Sequence, residues 1–444
     1  MFKTLRDAWA IPELRKKLMF TVIILLIYRA VAAIPVPFVD VDNMSKYFSS
    51  TLQNTILGFY NVMNGSAFAN AKVLALGIQP YINSSIIIQL LCVAIPALER
   101  MSKDEGEEGK KKINNITRFT TVGLGLLLGF AYYTMIANAT VTFDGVTYLP
   151  VLKESGLWVA LTIILVFTAG SSFVMWMGEQ ITEHGIGNGI SMILFANIVA
   201  GLPGMAGTLG TNGVFTWWAA AIVVVVLLAL VVFIVFINDA ERRIPIQYAK
   251  RVVGRKVYGG QNTNLPIKVA MSGVMPVIFA QSICSIPSTV FSFYFASKGI
   301  TADSVTGLYN HWGYDNLFSP NCWAYIGFYA LMIFFFSWFY AQIQYDPTEI
   351  GNNLRKNGGF IPGFRPGKPT ADFIKKVIGK IIIFGAVYLA VVCLLPLVGG
   401  KLYQGISYLA IGGTSIIIVV GVALETVKAI EAQMLMRHYK GFLD

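Results

Sequence analysis

Few side chains in this chain of 444 residues are spaced for catalysis. The three histidines form no H-E-x-x-H pattern, which is the spacing that binds zinc on one face of a helix. The glycine-rich stretch from Gly363 to Lys368 is close to a phosphate-binding loop, but Pro362 stands where that pattern needs a glycine and has no amide hydrogen to donate. No serine lies in a G-x-S-x-G turn. These patterns indicate a protein that is not an enzyme.

The cysteines give no support to a metal site. The chain has four of them, far apart, and no C-x-x-C pair occurs, so neither metal ligation nor a disulfide framework is indicated. They lie in or near apolar segments, where a cysteine behaves as a small buried hydrophobic side chain. We therefore predict no metal and no cofactor.

The composition is that of a membrane protein. Hydrophobic residues make up 55% of the chain and charged residues 13%, whereas ordinary soluble domains carry about 25% charged residues. Apolar runs of roughly 20 residues are long enough to cross a bilayer as helices. Ten such runs lie near residues 18–38, 74–97, 115–138, 155–177, 186–203, 214–238, 270–296, 321–344, 373–398 and 403–428.

The basic residues predict how these spans are oriented. Most of the 34 lysines and arginines fall in the N-terminal stretch, in the loops near 97–118, 239–268 and 345–380, and at the C-terminal end. Basic loops remain in the cytoplasm, so both termini are expected there, as an even number of spans requires. The chain is therefore predicted to be a multi-pass protein of the plasma membrane.

The spans hold almost no charge, which disfavours an ion-coupled carrier because such transporters place ionisable side chains inside the bilayer. Arg29 lies within the first span, near its predicted outer end. Its guanidinium is expected to reach the interface or to contact backbone carbonyls, and a substrate site is the alternative. A secondary transporter and a passive assembly scaffold are the competing classes of function.

Residues 51–70 are too short and too polar to span a bilayer, although their apolar residues recur at helical spacing. Such a segment is either an amphipathic helix that lies on the membrane surface or a half-helix that enters a water-lined cavity.

Two hydrophilic segments differ in their charge. The run at 103–112 has mixed charge and no apolar anchor, so we predict a solvated, mobile loop. The loop at 239–268 concentrates more basic residues than orientation requires. It is suited to a polyanionic or acidic partner such as ribosomal RNA, or to anionic lipid headgroups.

Five stretches of the chain resemble SecY-type protein-conducting channels, in consistent order and spacing. Residues 77–91 (GIQPYINSSIIIQLL) resemble the start of that family's second long helix, and residues 176–191 (WMGEQITEHGIGNGIS) resemble its junction between the fourth and fifth helices. Residues 242–269 and 358–370 resemble its two large cytoplasmic loops, and Gly-Gly-Thr at 412–414 matches its tenth helix. The resemblance is closest to the bacterial form.

The resemblance implies an all-α fold of ten transmembrane helices, in two inverted five-helix halves around a central pore. The halves would be residues 1–205 and 206–428, followed by a cytoplasmic tail at 429–444. A lateral gate between the second and seventh spans would open the pore toward lipid, and the 51–70 segment would be the plug that closes the outer vestibule. Such a channel translocates unfolded secretory polypeptides and releases transmembrane segments sideways into lipid.

The family's pore ring maps onto five aliphatic residues of this chain: Ile78, Ile82, Leu194, Ile278 and Ile418. Aliphatic side chains offer an ion no replacement for its hydration shell, so a narrow ring of them blocks ions. The first two residues are four apart and so share a helix face. The plug's apolar stripe consists of Ile56, Phe59, Tyr60 and Met63.

Gln89 and Gln281 are polar residues in the second and seventh spans, where unsatisfied amides are costly. We expect them to form hydrogen bonds near the seam of the gate and to set how easily it parts. The alternative is that each glutamine bonds to neighbours in its own helix. A signal sequence, whose apolar core has about 7–15 residues, would displace such contacts on entry.

The resemblance also implies that the basic loops near 239–268 and 345–372 bind a motor ATPase of the SecA type or the ribosome, including its RNA. The residues expected to make these contacts are Arg242, Arg243, Lys250, Arg251, Arg255, Lys256 and Arg365. Arginine can pair with phosphate or carboxylate through two hydrogen bonds. The other implied partners are small membrane subunits of the SecE and SecG types, insertase-type proteins, signal peptides, nascent polypeptides and membrane lipid.

Overall fold

The structure, a computed structural model, describes most of the chain. The described residues are 2–49, 56–103, 106–142, 148–211, 217–248, 251–253, 256–258, 262–271, 273–297, 323–402 and 412–440. Two of the predicted docking residues, Lys250 and Arg255, lie outside this part of the chain.

Helices make up most of the described residues, because a helix satisfies its own backbone hydrogen bonds and can therefore lie in lipid. In chain order they are α1 (Phe2–Ala10), α2 (Pro12–Val31), α3 (Val41–Tyr47), α4 (Ile56–Met63), α5 (Gln79–Ala94), α6 (Pro96–Lys103), α7 (Gly106–Asn138), α8 (Leu157–His184), α9 (Gly189–Thr211), α10 (Trp217–Asp239), α11 (Met275–Ser297), α12 (Trp323–Gln344), α13 (Pro347–Lys356), α14 (Lys368–Leu402) and α15 (Gly412–Lys440).

Each of the ten predicted spans coincides with a helix over the described residues, namely α2, α5, α7 to α12, α14 and α15. Four helical stretches in the described part of the chain are long and apolar enough to cross a membrane: Gly106–Asn138, Leu157–His184, Trp323–Lys356 and Lys368–Gly399. Three shorter apolar helices are Gly189–Gly201, Val224–Asp239 and Met275–Pro287.

Large apolar side chains point outward from these helices. The side chains of Phe119 and Trp158 are 80% and 81% exposed, and Phe236 on α10 is 71% exposed. Exposed aromatic and aliphatic residues at this density would aggregate in water. They are the surface that a bilayer solvates.

The prediction of a loop at 103–112 is wrong, because α7 begins at Gly106 and includes most of that run. Glu107 and Glu108 occupy the first turn, where negative charge stabilises the positive end of the helix dipole. Lys110 Nζ lies 3.9 Å from a carboxylate oxygen of Glu107. The charged run is therefore the water-exposed beginning of the helix that becomes the third span.

Short antiparallel strands accompany the helices. β1 (Thr140–Thr142) pairs with β2 (Tyr148–Pro150), and β4 (Arg251–Val253) pairs with β5 (Lys256–Tyr258). A three-stranded sheet has the order β6 (Asn262–Lys268), β3 (Glu241–Tyr248), β7 (Gly359–Phe360). The hydropathy pattern predicted only helices and loops for these regions, because two- to eight-residue strands carry a weak periodic signal.

The chain forms two compact units. The first comprises residues 1–215, 282–325 and 422–444, and the second comprises residues 216–281 and 326–421.

An aromatic chain forms part of the core of the first unit. The rings of Phe68 and Tyr132 meet edge to face with centroids 4.6 Å apart, and those of Tyr132 and Phe167 meet in the same way at 4.7 Å. The buried hydroxyl of Tyr132 donates a hydrogen bond to the carbonyl of Phe68 at 2.5 Å. These contacts fix the loop that follows α4 against α7 and α8.

The core of the second unit lies beneath the three-stranded sheet. On β3, Ile244 and Ile246 are buried with the exposed Pro245 between them, and Arg242 and Arg243 at the beginning of the strand are both exposed. The buried residues that pack together here come from the sheet, from the residues just after β6 and β7, and from α12 to α14: Ile244, Ile246, Ile267, Met271, Ala341, Leu354, Ile361, Ile374, Ile378 and Ile382.

Candidate functional site

The predicted plug contains a helix, α4, that is held inside the first unit. Leu57 and Met63 are 1% and 3% exposed, and α4 packs against α9. This burial favours the interpretation in which the segment enters the interior over one in which it lies on a membrane surface. Ile56 and Phe59 belong to the helix, but their side chains lie outside the described part of the structure.

The end of α4 is attached to the beginning of α5. The side-chain amide of Gln79 donates to the sulfur of Met63 at 3.4 Å, and the side-chain amide of Asn64 donates to the carbonyl of Ala75 at 2.7 Å. Gln79 is the first residue of α5 and follows the ring candidate Ile78 directly. The plug residue Met63 therefore lies beside the helix end that carries the predicted ring.

Three of the five ring candidates belong to the first unit. Ile78, Ile82 and Leu194 are 1%, 6% and 1% exposed. The amide of Ile82 donates to the carbonyl of Ile78 at 3.1 Å, so the two side chains lie one helical turn apart on α5. Leu194 lies on α9, the helix against which α4 packs.

The other two ring candidates belong to the second unit, on helices that approach each other closely. Ile278 on α11 is half-buried, and Ile418 on α15 is 2% exposed. A methyl group at Gly421 would overlap the side chain of Val274, which immediately precedes α11. Ile278 lies one turn after Val274, and Ile418 lies one turn before Gly421. Ile278 and Ile418 therefore each lie one turn from the point where Gly421 of α15 lets Val274, just before α11, approach closely.

The two gate candidates have different surroundings. Gln89 is exposed on α5. Gln281 is half-buried on α11, and its side-chain oxygen accepts a hydrogen bond from the hydroxyl of Tyr329 on α12 at 3.2 Å. Gln281 is thus bonded to a different helix of its own unit. The sequence had suggested either a bond near the seam of the gate or a bond to neighbours within α11.

The two basic loops meet in one sheet. β3 and β6 form the two sides of the loop at 239–268, with Glu241 opposite Lys268. β7 comes from the next large loop and pairs with the far end of β3, with Gln247 opposite Phe360. The sequence suggested two separate basic loops, whereas the structure joins them in one three-stranded sheet. We name this sheet (β3, β6 and β7) the docking sheet.

Arginines extend from this docking sheet into solvent. Arg242 and Arg243 are exposed, and Arg243 pairs with Glu241 at 2.7 Å. Arg365 is exposed in the loop after β7, and its carbonyl accepts the hydroxyl of Thr370 at 2.8 Å. Of the remaining candidates, Arg251 lies in β4 and Lys256 in β5, with side chains outside the described part.

The arginine of the first span contacts the turn after the plug helix. Gly65 has a φ of +58°, and a methyl group at this glycine would lie 2.6 Å from a guanidinium nitrogen of Arg29. It would also lie 3.4 Å from the side-chain oxygen of the fully buried Asn197 on α9. Arg29 is therefore packed against a backbone turn.

An ion pair between two spans was not anticipated from the sequence. Two guanidinium nitrogens of Arg118 on α7 lie 2.8 and 2.9 Å from the two carboxylate oxygens of Glu179 on α8. This two-bond geometry is the strongest that an arginine and a carboxylate can form. Among the described residues, no three His, Cys, Asp or Glu side chains gather into a possible metal site.

The sequence pattern of the SecY family matches residues 72–427 of this chain. The chain is 39% identical to a protein translocase subunit SecY of Streptomyces galbus over 449 residues, which is all of both chains. It is 39% identical to a protein translocase subunit SecY of Mycobacterium bovis over 443 residues, with 97% of each chain covered.

Solved structures share the fold. A protein-conducting channel superposes with a TM-score of 0.64 at 16% identity, covering 95% of this chain and 93% of that one. A SecY structure, described as having a plug domain that stabilises the closed state and maintains a membrane seal, gives 0.62 at 16% identity, covering 95% and 92%. Sec61 in a canine ribosome–channel complex gives 0.59 at 14% identity, covering 95% and 93%.

The fold is that of a multi-pass helical membrane protein. The chain belongs to the SecY family, the protein-conducting channel subunits of the Sec translocase. It is a transport protein and not an enzyme. The predictions of family, fold class and function are confirmed, and the transporter and scaffold alternatives are set aside.

Proposed function

We propose that this chain moves unfolded secretory polypeptides across the plasma membrane through an aliphatic ring that the 51–70 segment plugs at rest. The ring consists of Ile78, Ile82, Leu194, Ile278 and Ile418. The observation that supports the proposal is the hydrogen bond from Gln79 to Met63, which joins the buried end of α4 to the beginning of α5, next to Ile78.

The chemistry of both parts suits a seal that a polypeptide can open. A narrow aliphatic neck excludes ions, since it cannot replace their hydration shells, and it holds no passing sequence tightly. The plug adds a second barrier, and its helix has only eight residues, so it can leave at a modest cost in free energy. The burial of Leu57 and Met63 supports a role for them in holding the plug at rest.

Lateral release requires the wall of the channel to part. We infer that the halves 1–205 and 206–428 separate between α5 and α11, where Gln89 and Gln281 lie. The bond from Tyr329 to Gln281 supports a role for this glutamine as an anchor of α11 to α12. An apolar signal sequence that enters beside α11 would then have to displace a helix that its bond to α12 holds in position.

Orientation and partners complete the proposal. Both termini and the docking sheet face the cytoplasm, since basic loops remain there. The docking sheet binds a SecA-type motor or the ribosome, and its joined basic loops support a single shared surface. Sec61 has been solved with a ribosome, which favours the same kind of partner here. Small SecE-type and SecG-type subunits, insertase-type proteins, signal peptides, nascent chains and lipid are the membrane partners.

The seal is tested by the ionic current of the idle channel. The chain, with a SecE-type subunit, is placed in a planar bilayer and compared with a variant that lacks residues 56–63. We expect a closed channel for the full chain and frequent ion-conducting openings for the deletion, because the aliphatic ring is then the only barrier. Equal currents from the two proteins, in bilayers where both are correctly inserted, would contradict the assignment of the plug.

A further inference from the structure

An aromatic residue in the connection between α2 and α3 has a strained backbone. Phe38 has a φ of +66°, in the left-handed region that a glycine adopts freely and a bulky side chain rarely adopts. Among the described residues other than glycine, Ser66 and Ala71 also have a positive φ, and both of these are small. Phe38 is therefore the large side chain of the described residues that is held in this conformation.

Hydrogen bonds on both sides of Phe38 fix the turn. The amide of Val36 donates to the carbonyl of Ala71 at 3.0 Å. The carbonyl of Phe38 itself accepts the amide of Lys153 at 2.9 Å. Pro37 contributes a φ that its ring holds fixed. Since the backbone is tied to two other segments, the turn cannot relax around its side chain.

The turn directs the ring of Phe38 away from the core. Val36 and Val39, on either side, are 2% and 5% exposed, whereas Phe38 is 37% exposed. An aromatic ring that served only to fill the core would be buried. A residue without any contact to make at this turn would be more stable as glycine. The strain and the exposure together indicate that the ring contacts something outside this chain.

The surroundings of Phe38 are the exposed apolar ends of two spans. Ile34, just after α2, is 51% exposed, and Leu157 and Trp158, at the beginning of α8, are 74% and 81% exposed. Phe38 connects these ends, because it follows Ile34 closely in the chain and its carbonyl is bonded to Lys153, shortly before Leu157. Tryptophan is enriched where the bilayer meets water. The exposed ring therefore continues the lipid-facing surface of the two spans.

We propose that Phe38 is a lipid anchor, whose ring enters the interfacial region of the bilayer where α2 ends and α8 begins. Aromatic side chains gain free energy in this region, and the gain offsets the strain of the backbone. Lys153 and Glu154 are both exposed beside the turn and carry opposite charges, so the anchor does not select anionic headgroups. Its ligand is the boundary between headgroups and acyl chains of any phospholipid.

The anchor also positions the chain that follows the 51–70 segment. The amide of Val73 donates to the carbonyl of Ile34 at 3.0 Å, and Ala71 accepts the amide of Val36. The segment that carries Phe38 is thus bonded to residues 71–73. Contact of Phe38 with lipid therefore fixes this part of the chain at the boundary of the bilayer, a role that goes beyond the proposed function.

The anchor is tested by replacing Phe38 with the photoreactive amino acid p-benzoylphenylalanine, which keeps an aromatic ring. The full chain, with its SecE-type subunit, is illuminated in phospholipid vesicles, and the adducts are identified by mass spectrometry. The expected yield of lipid adduct is about half of that from the same substitution at Trp158, because Phe38 is 37% exposed and Trp158 is 81% exposed. Neutral vesicles and vesicles with anionic lipid are expected to give equal yields.

Asp42 is the matched control, because it is exposed on α3, shortly after Phe38, and is polar. The same substitution there is expected to give no lipid adduct. A second measurement uses a nitroxide label on Phe38→Cys, in a chain whose four cysteines are replaced by alanine. The label is expected to collide more often with oxygen than with a water-soluble nickel complex, and a label on Asp42→Cys is expected to show the reverse.

Three results would overturn the anchor. An adduct between position 38 and the SecE-type subunit would make Phe38 a protein contact. The absence of any adduct at position 38, while position 158 gives lipid adducts, would mean that the ring faces water. A lipid adduct that forms only with anionic lipid would show selection by charge. None of these results alters the ionic current on which the plug is tested, so failure of the anchor is distinguishable from failure of the proposed function.

Discussion

At the scale of single residues, the turn after the plug helix depends on the absence of a side chain at Gly65. Its φ of +58° lies in the left-handed region, and the next residue, Ser66, has a φ of +65°. The guanidinium of Arg29 occupies the space where a Cβ substituent would project. A glycine at this position therefore lets Arg29 of the first span pack directly against the plug turn.

Gly65→Ala is expected to destabilise the folded protein by about 2 kcal/mol or more. About 1 kcal/mol comes from a left-handed backbone with a side chain, and the rest comes from displacing Arg29 from a contact at 2.6 Å. The measurement is the midpoint of thermal unfolding of the purified complex in detergent. Gly106→Ala is the control, because Gly106 has the same φ of +58° with open space around it.

The two glycine variants separate backbone strain from the loss of the arginine contact. We expect the midpoint to fall further for Gly65→Ala than for Gly106→Ala. Equal decreases would show that the contact between Arg29 and the plug turn contributes nothing to stability.

The residue types in the sequence drew attention to Arg29, but they did not reveal the aliphatic ring or the contacts between distant residues. Arg29 stood out because a charge within an apolar span requires an explanation. The aliphatic ring could be located only through the family resemblance, because an isoleucine in a membrane helix looks like ordinary packing. The bond between Tyr60 and Ser285 joins residues 225 positions apart, and no periodic pattern reports such a pair.

At the scale of elements, the docking sheet is the main feature that hydropathy did not reveal. Apolar runs located the helices well, because the length of a span and its hydrophobicity are local properties. α7 nonetheless begins nine residues before its predicted span at 115–138, since a helix continues into water once its apolar part has formed. The pairing of β3 with β7 joins residues more than 100 positions apart, so it depends on the tertiary fold.

Reversing charge on the docking sheet is expected to weaken the binding of a SecA-type motor about tenfold. The variant is Arg242→Glu with Arg365→Glu, because both side chains are exposed and belong to the two loops that the sheet joins. Exposed ion pairs contribute up to about 1 kcal/mol each, and reversal turns attraction into repulsion. Binding to proteoliposomes that contain the channel is measured at low and high salt.

The control for this variant is Lys110→Glu with Lys111→Glu, which reverses two exposed charges at the beginning of α7. We expect it to bind the motor nearly as well as the unaltered chain. The effect of the docking-sheet variant should shrink at high salt, where exposed charges are screened. If the two variants lose binding equally, net charge and not the docking sheet governs the association.

At the scale of the whole molecule, the helices expose large apolar side chains that require lipid. Within the first unit, Leu57 and Met63 of α4 are buried, and Arg118 pairs with Glu179 at 2.8 Å. Composition predicted a membrane protein, and the apolar runs along the chain predicted its ten spans. The division of the chain into halves at residue 205 and the orientation of both termini remain predictions.

The most direct test of this account is the translocation of a secretory precursor into proteoliposomes, measured by protection from added protease. The vesicles contain this chain with a SecE-type subunit, and a SecA-type motor with ATP is supplied outside. We predict protected full-length precursor that depends on ATP and on an intact signal sequence. No protection with any precursor, beside a control channel that works under the same conditions, would contradict the claim that this chain conducts polypeptides.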